Sequence, residues 1–388
     1  MAQPASLDAA QSFVELFLED LRALVDTDCG TYSPAGVERV ADYLRPRFAE
    51  AGCEVELRPG QRMGPQLVAR HTGSGQGRVL LIGHMDTVFP DGEATQRPFK
   101  IEDGRAYGPG VLDMKSGLLV GLYALRLLHE AGEAPYAALT FLCNSDEEVG
   151  SPESGPLVRE LAREADAAII LEPGRGREDV TVARKGVATF TLEVEGLAAH
   201  AGVEPEAGHS AILELAHRVV ALQALNGTIE GVTVNVGTVH GGERPNIVPD
   251  RARAQIDVRA PSTQAVAAIE LALRQTCETI IVPGTRTRLT GGFMHQPFEQ
   301  SPASKRLFAL AQAAGRELGL ELRGRSTGGG SDGNTTASAG VPTLDGMGPS
   351  GGLAHNPGEY IIVESIAPRI ALLAGLLRRL HDGQAAPN

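Results

Sequence analysis

The chain has 388 residues, of which 42% are hydrophobic and 21% are charged, so it can bury more than one core and two domains are expected. Lysine and arginine number 35 against 48 aspartates and glutamates, and the net charge of −13 disfavours nucleic acid and anionic membranes as partners. The N-terminal segment lacks the layout of a signal peptide, no stretch is long enough to span a membrane, and the cysteines form no C-x-x-C pair, so we expect a cytoplasmic protein.

Helical spacing of apolar residues predicts two helices near the N-terminus, over residues 8–26 and 33–51. The second helix has Ser33 as its predicted N-cap and Gly52 just past its end. Strands are predicted next over 53–57 and 67–71. The glycine-rich segment 73–77 opens no helix that could hold a phosphate, so it is predicted to be a hairpin turn rather than a nucleotide-binding loop.

The next predicted strand, a short apolar run over residues 79–82, leads directly into His84 and Asp86. Ligand sites in open α/β sheets form beyond the carboxyl ends of the strands, which is where this pair lies. His84 can offer an imidazole nitrogen to a metal ion. Asp86 can orient that imidazole, as carboxylates beside metal-binding histidines commonly do.

Three further acidic positions follow buried segments in the same way. Asp113 ends a glycine-rich loop before a leucine-rich helix, Glu147 and Glu148 follow the predicted strand 138–143, and Glu172 follows the predicted strand 167–171. Taken singly, Asp113 could cap its helix and the paired glutamates could form a solvated turn. Their repeated position at strand ends instead predicts a cluster of nitrogen and oxygen ligands for zinc or another first-row divalent ion.

From residue 184 the pattern changes to strand, helix, strand, strand, helix, strand. These elements are predicted over 187–194, 210–225, 233–239, 251–258, 263–279 and 285–289. This order is the ferredoxin-like α+β layout. We therefore predict a first domain formed by residues 1–183 and 295–388, with a second domain inserted at 184–294.

Two segments after the insert are candidates for the site. The glycine-rich loop 326–334, which contains Gly330 and Ser331, could let backbone amides approach an anion. His355 lies in a Gly- and Pro-rich loop before the last predicted helix. A lone histidine there is usually a surface residue, but the incomplete metal site makes His355 the leading candidate for the missing imidazole.

Together these segments resemble the M20 family of di-zinc metallopeptidases, and in order and spacing they are most similar to its glutamate carboxypeptidase (carboxypeptidase G-type) branch. The similarity runs from about residue 10 to 382 and is carried by LLIGHMDTV, GPGVLDMKSG, NSDEEVGS, LEPG, AAHAG, RPNIVP and AHNPGEY. The resemblance implies an α/β, zinc-peptidase-like catalytic domain with a central mixed sheet flanked by helices. It also implies that the insert is a dimerisation or lid domain, and hence a homodimer.

The resemblance further implies two Zn²⁺ ions per subunit, with Co²⁺ or Mn²⁺ as substitutes. It assigns five metal ligands: Asp113 as the bridge, His84 and Glu172 for one ion, and Glu148 and His355 for the other. Glu147 becomes the general base and Asp86 orients His84. A cis peptide bond is implied between Asp113 and Met114.

The resemblance also assigns roles in the inserted domain. His200 matches a histidine that reaches the partner subunit's active site and stabilises the reaction intermediate. Asn246 and Arg259 match residues that contact the substrate's terminal carboxylate or the intermediate. Because the chain is acidic overall, the carboxylate needs a local anchor, and we predict Arg259 with help from Gly330 and Ser331.

The implied activity is hydrolysis of an N-acyl or peptidyl amide that releases a C-terminal glutamate, with folate-type compounds among the substrates. The alternatives are an N-acyl-amino-acid deacylase of the acetylornithine-deacetylase type, a dipeptidase, or a metal-binding protein without catalysis. A pure binding site has no use for an unligated Glu147. A nucleotide-binding α/β protein is disfavoured because no glycine-rich loop joins a strand to a helix in the required way.

Overall fold

A computed structural model describes residues 7–380 of the chain, and the outermost residues of the predicted first domain, 1–6 and 381–388, lie outside this range. The α-helices in chain order are α1 (Leu7–Gln11), α2 (Val14–Val25), α3 (Pro34–Glu50), α4 (Glu93–Gln96), α5 (Ser116–Glu130), α6 (Gly155–Arg163), α7 (Ala211–Gln223), α8 (Thr263–Glu278), α9 (Pro302–Glu317), α10 (Asp332–Ser338) and α11 (Ile366–Leu380). The strands are β1 (Glu54–Arg58), β2 (Gln66–Thr72), β3 (Arg78–His84), β4 (Lys100–Glu102), β5 (Arg105–Tyr107), β6 (Ala138–Asn144), β7 (Ala167–Ile170), β8 (Asp179–Arg184), β9 (Gly186–Glu195), β10 (Ala199–His200), β11 (Thr233–Gly241), β12 (Ile247–Val248), β13 (Arg251–Ala260), β14 (Arg286–His295), β15 (Arg323–Thr327), β16 (Thr343–Leu344), β17 (Gly351–Gly352) and β18 (Tyr360–Ile362).

The described chain divides into two compact units. The larger unit contains residues 7–183, 300–326 and 331–380, and the smaller unit contains residues 184–299 and 327–330. Over residues 7–380, none of the helices combines the length and the apolar character that crossing a membrane requires.

The larger unit is built on a six-stranded sheet in the order β1-β2-β6-β3-β7-β16. Strands β6, β3, β7 and β16 run parallel, whereas β2 is antiparallel to both of its neighbours, β1 and β6, so the predicted central mixed sheet is confirmed. Both faces are covered, because Leu81 packs into one buried cluster with α5 and α11 while Leu80 and Ile82 pack into another with α6. Burial on both faces explains the continuous apolar run of β3.

Two local predictions near the N-terminus differ from the structure. The predicted helix 8–26 is interrupted and forms α1 and α2. The predicted hairpin at 73–77 is wrong, because β2 and β3 do not pair with each other: β6 lies between them, antiparallel to β2 and parallel to β3. In contrast, α3 begins at Pro34 after Ser33 and is followed by Gly52 in the left-handed conformation, as predicted.

The smaller unit contains a four-stranded antiparallel sheet in the order β11-β13-β9-β14. Helices α7 and α8 pack on this sheet around a second core that includes Phe190, Leu215, Ile256 and Leu273. The chain order β9-α7-β11-β13-α8-β14 with this strand order is the ferredoxin-like arrangement predicted from the sequence. The first and third strands of the motif lie at the centre of the sheet.

A buried arginine on the last helix links distant loops of the larger unit. Arg369 is 1% exposed. Its guanidinium donates to the carbonyl oxygens of Gly346 at 3.2 Å, Gly176 at 2.7 Å and Asp179 at 2.9 Å. Burial lowers the pKa of Arg369 to about 10, so the guanidinium remains charged near neutral pH. The side chain therefore satisfies three backbone acceptors with one cation.

Replacement of Arg369 by methionine is expected to lower the free energy of unfolding by roughly 2 to 4 kcal/mol, because three carbonyl oxygens lose their donor. Denaturant unfolding followed by circular dichroism measures the change. Arg306→Met is the control, since Arg306 is exposed on α9. An equal and small effect of both substitutions would contradict a bonding role for Arg369.

Candidate metal centre

The site forms at the carboxyl edge of the parallel strands. His84 is the last residue of β3 and is 1% exposed. Its Nδ1 lies 2.9 Å from the carbonyl oxygen of Asp86, which fixes the orientation of the ring. Its Nε2 lies 3.1 Å from Asp113 Oδ1 and 3.6 Å from Glu172 Oε1. Because Glu172 follows β7, the neighbour of β3, two adjacent strands bring these groups together.

Asp113 reaches the site from an irregular turn, Val111–Lys115, which precedes α5. The peptide bond between Asp113 and Met114 is cis, as the family resemblance implied. The side chain does not cap α5 but faces two imidazoles: Oδ1 lies near His84, and Oδ2 lies 3.1 Å from Nε2 of His355. One carboxylate therefore lies between two histidines, His84 and His355, that are far apart in the sequence.

His355 completes a second group of candidate ligands. Its Nε2 also lies 3.2 Å from Glu148 Oε2, and the side chain is 52% exposed. Its φ of 62° is left-handed. This backbone conformation is uncommon for a residue with a side chain and clusters at functional sites.

Two sets of three residues can each hold a metal ion. The first set is His84, Asp113 and Glu172, and the second is Asp113, Glu148 and His355; within each set the ligand atoms lie within 4.8 Å of one another. The Oε1 atom of Glu148 is buried without a hydrogen-bond partner among residues 7–380. Since buried carboxylate oxygens normally have a partner, this atom and the nitrogen and oxygen donors fit two divalent cations that share Asp113.

Glu147 lies beside His84 but belongs to neither ligand set. Its Oε2 is 3.9 Å from Nε2 of His84. Burial, followed by the negative charge of Glu172, raises the pKa of Glu147 well above its usual range. A carboxylate in this position could accept a proton from a water molecule held at the centre.

The charges of the centre are unbalanced without a cation. Burial opposes the charged form of His84, yet its hydrogen bonds with Asp113 and Asp86 raise its pKa well above the usual range. Contacts with Asp113 and Glu148 likewise raise the pKa of His355 to about 11. The two imidazoles are drawn toward the protonated state by surrounding carboxylates, and a bound cation would supply the same positive charge.

Asp86 connects the turn of the two glutamates to strand β3. It is fully buried, and its carboxylate accepts hydrogen bonds from the backbone N–H groups of Glu147 at 3.2 Å and Glu148 at 3.3 Å. The Thr31 hydroxyl donates to Oδ2 at 2.6 Å. The Asp86 carboxylate lies 3.4 Å from Nδ1 of His84, so its main hydrogen bonds position the glutamate turn.

Sequence reasoning missed a second positioning residue, Glu359. Its buried carboxylate accepts N–H groups of Gly110 at 3.0 Å and of Leu112 and Asp113 at 2.8 Å. The three bonds hold the loop that carries Asp113. In the sequence, the only indication of this role is that Glu359 is an acidic residue four positions after His355. Its partners are backbone amides, and a pattern of side chains does not reveal such partners.

The Glu359→Gln variant is expected to bind metal about 10- to 100-fold more weakly, because an amide cannot accept all three N–H groups and supporting residues of this kind have effects of that size. Competition with a chromophoric chelator measures the affinity. Glu364→Gln is the control with the same charge change, since the Glu364 side chain is 82% exposed. Unchanged affinity in Glu359→Gln would show that the loop holds its shape without this carboxylate.

The predicted residues of the smaller unit lie in two places. His200 is exposed on β10, and Asn246 is exposed just before β12, the strand that pairs with β10. The N–H of Ala201 donates to the Asn246 carbonyl oxygen at 3.1 Å. Arg259 lies on β13, paired with Asp257 at 2.8 Å, and its Nη1 lies 3.5 Å from the Gly328 carbonyl oxygen. Arg259 therefore has an acidic partner in this structure.

The two predicted residues of the glycine-rich loop have structural contacts. The Gly330 carbonyl oxygen accepts a hydrogen bond from Arg184 at 3.1 Å. The buried Ser331 hydroxyl donates to Asp345 at 2.6 Å and caps α10. Their part in substrate binding stays a prediction.

A shared carboxylate between two ligand sets, with a further carboxylate free to act as a base, defines the class of dinuclear metallohydrolases. The model of Peptidase family M20/M25/M40 matches residues 80–379. The chain belongs to this family, and it is accordingly a hydrolase of the metallopeptidase class.

Individual relatives span nearly the whole chain. Carboxypeptidase G2 of Pseudomonas sp. is 30% identical over 95% of this chain and 90% of its own length. Succinyl-diaminopimelate desuccinylase of Delftia acidovorans is 30% identical over 90% of this chain and 94% of its own length. Among solved structures, aminopeptidase PepT from Bacillus cereus has a TM-score of 0.80 and 25% identity, covering 95% of this chain and 98% of its own.

Proposed function

We propose that this protein is a di-zinc carboxypeptidase that hydrolyses the amide bond of N-acyl or peptidyl amino acids and releases a C-terminal glutamate. The observation that carries the proposal is Glu147, an acid whose side chain is only 12% exposed, which lies 3.9 Å from His84 and is a member of neither ligand set. A site that only stored metal would not need this group. The similarity to carboxypeptidase G2 supports the choice of a C-terminal amino acid as the product.

The proposed ligands follow the two sets of side chains. Asp113 would contribute to both ions, His84 and Glu172 would hold one of them, and Glu148 and His355 would hold the other. Zinc suits this mixture of imidazole and carboxylate donors, and cobalt or manganese would occupy the same positions. Such ions lower the pKa of a bound water and polarise the scissile carbonyl.

Side chains of the protein carry out the proton transfer that hydrolysis requires. Glu147 takes a proton from the attacking water and delivers it to the leaving nitrogen. Asp86 and Glu359 keep the glutamate turn and the Asp113 loop in position through backbone N–H groups.

Residues outside the two ligand sets supply the remaining proposed contacts. Arg259 with the loop that includes Gly330 and Ser331 anchors the substrate's carboxylate, which displaces Asp257 from the guanidinium. Asn246 and His200 contact the charge that develops on the scissile carbonyl oxygen. We propose that His200 does so in the partner subunit of a homodimer formed through the smaller unit.

A product-identified hydrolysis screen on metal-loaded protein tests the function. N-acyl-L-glutamates, other N-acyl amino acids and dipeptides are each incubated with and without a chelator, and products are identified by mass spectrometry. We expect glutamate release that the chelator abolishes and zinc restores. Preference for N-succinyl or N-acetyl amino acids without glutamate would favour a deacylase, in line with the desuccinylase relative, and no turnover would indicate a metal-binding protein without catalysis.

A further inference from the structure

The larger unit has a second pair of histidines, His71 and His129, outside both ligand sets of the candidate metal centre. His71 lies near the end of β2, and His129 lies in the last turn of α5. The centroids of the two imidazole rings are 6.4 Å apart, and the ring planes are inclined at 82°. Two separate elements of the fold therefore bring these imidazoles together.

Both imidazoles approach the turn that follows α3. Gly52 lies in this turn in the left-handed conformation, with a φ of 83°. A Cβ atom on Gly52 would lie 2.7 Å from Nδ1 of His129 and 3.2 Å from Nε2 of His71. Any side chain at this position would therefore fill the space beside these two nitrogens, and glycine keeps that space open.

A buried tyrosine fixes the orientation of the first imidazole. Tyr136 is 2% exposed, and its hydroxyl oxygen lies 3.2 Å from Nδ1 of His71. The centroids of these two rings are 5.6 Å apart. A phenol oxygen can accept a hydrogen bond from the N–H of a neutral imidazole. With the hydrogen on Nδ1, the lone pair of Nε2 of His71 is available on the side of Gly52.

The ends of two helices make this region favourable for a positive charge. Helix α3 ends at Glu50, two residues before Gly52, and α5 ends at Glu130, the residue after His129. The carboxyl end of a helix carries a partial negative charge from its unpaired carbonyl groups. Since both helices end beside the histidine pair, a cation bound there would be stabilised by both helix ends.

We infer that Nε2 of His71 and Nδ1 of His129 bind a first-row divalent ion, such as copper, nickel or zinc, with water completing its coordination. Imidazole nitrogens suit these ions, and metal-binding histidines commonly have a hydrogen-bond partner on the other ring nitrogen, as His71 has in Tyr136. His129 is exposed, so its ring can turn to meet an ion about 2.0–2.1 Å away. The ion would link α5 to β2, and its binding does not depend on the proposed function.

Copper is the probe for this site, because Cu²⁺ forms the most stable complexes among these ions. Cu²⁺ is titrated into zinc-loaded protein, and electron paramagnetic resonance counts the imidazole nitrogens that bind it. Each ligand set of the candidate metal centre contains one histidine, so an ion with two imidazoles identifies the new site.

We expect two imidazole nitrogens on the bound copper in the wild-type protein. In Tyr136→Phe, the affinity for copper should fall about tenfold, an effect typical of losing a supporting hydrogen bond. In His71→Gln and His129→Gln, the affinity should fall further, and the signal of two imidazoles should disappear. His217→Gln is the control, since His217 is an exposed histidine on α7.

Copper bound to the wild-type protein by fewer than two imidazoles, or not bound at all, would overturn the inference. So would an affinity that is the same in the wild type and in His129→Gln, the variant that decides the result if His71→Gln does not fold. An equal loss of affinity in His217→Gln would show that copper binds exposed histidines in general. Hydrolytic activity should be the same in His129→Gln and the wild type, so failure of this inference and failure of the proposed function are separate results.

Discussion

Glu147→Gln is expected to retain two metal ions per subunit and to hydrolyse substrate about 10²- to 10⁴-fold more slowly, the usual loss when a general base is removed. The amide keeps the size of the side chain but cannot take a proton from water. Because Glu147 is in neither ligand set, the metal content should not change. Measurement of kcat together with metal content by mass spectrometry on the same sample tests both halves of the prediction.

The neighbouring residue provides a matched control. Glu148→Gln makes the same chemical change one position along, but Glu148 lies 3.2 Å from His355 and belongs to the second ligand set. This variant should lose metal as well as activity. If Glu147→Gln lost as much metal as Glu148→Gln, the division of labour between the two glutamates would be wrong.

Asp113→Ala is expected to have the largest effect on metal binding, with affinity for both ions falling by more than about 100-fold, since both sites lose a first ligand and the effect should exceed that of losing a supporting residue. Asp113 contributes one carboxylate oxygen to each set, at 3.1 Å from His84 and 3.1 Å from His355. Activity should disappear with the metal. Titration with zinc in a competition assay gives the stoichiometry.

His355→Ala, compared with Asp113→Ala, tests whether Asp113 serves both ions while His355 serves only one. His355 belongs only to the second set, and it is half exposed, so its removal should leave the fold intact. We expect one ion to remain in His355→Ala and none in Asp113→Ala under the same conditions. Two ions bound by Asp113→Ala would refute the bridging assignment.

The positions of the candidate metal ligands that precede the inserted domain could be predicted because each lies at or after a recognisable buried strand or loop. His84 ends one parallel strand and Glu172 lies two residues after the end of another, and the carboxyl ends of such strands meet at one edge of a sheet. The ferredoxin-like unit could be predicted for a similar reason, since its alternation of strands and helices is continuous in the sequence. Local periodicity is sufficient when neighbours in sequence are neighbours in space.

The errors occurred where the partner is distant in sequence. The segment 73–77 joins β2 and β3, but a later strand, β6, lies between them in the sheet. No residue near position 73 indicates that β6 will take this place. Glu359 acts through backbone amides near Asp113, far from it along the chain. Arg369 similarly bonds only to carbonyl oxygens of remote loops. Backbone partners leave no mark on side-chain patterns.

In the sequence, the candidate ligands are divided by the inserted residues of the smaller unit: Glu172 and the ligands with lower numbers precede the insert, and His355 follows it. During synthesis, the second set stays incomplete until His355 has left the ribosome. An ion held by Glu148 and His355 would cross-link the parts of the larger unit that precede and follow the insert. By mass action such an ion favours the native state by about 2.7 kcal/mol at one hundred times its dissociation constant, so metal supply would govern resistance to proteolysis as well as catalysis.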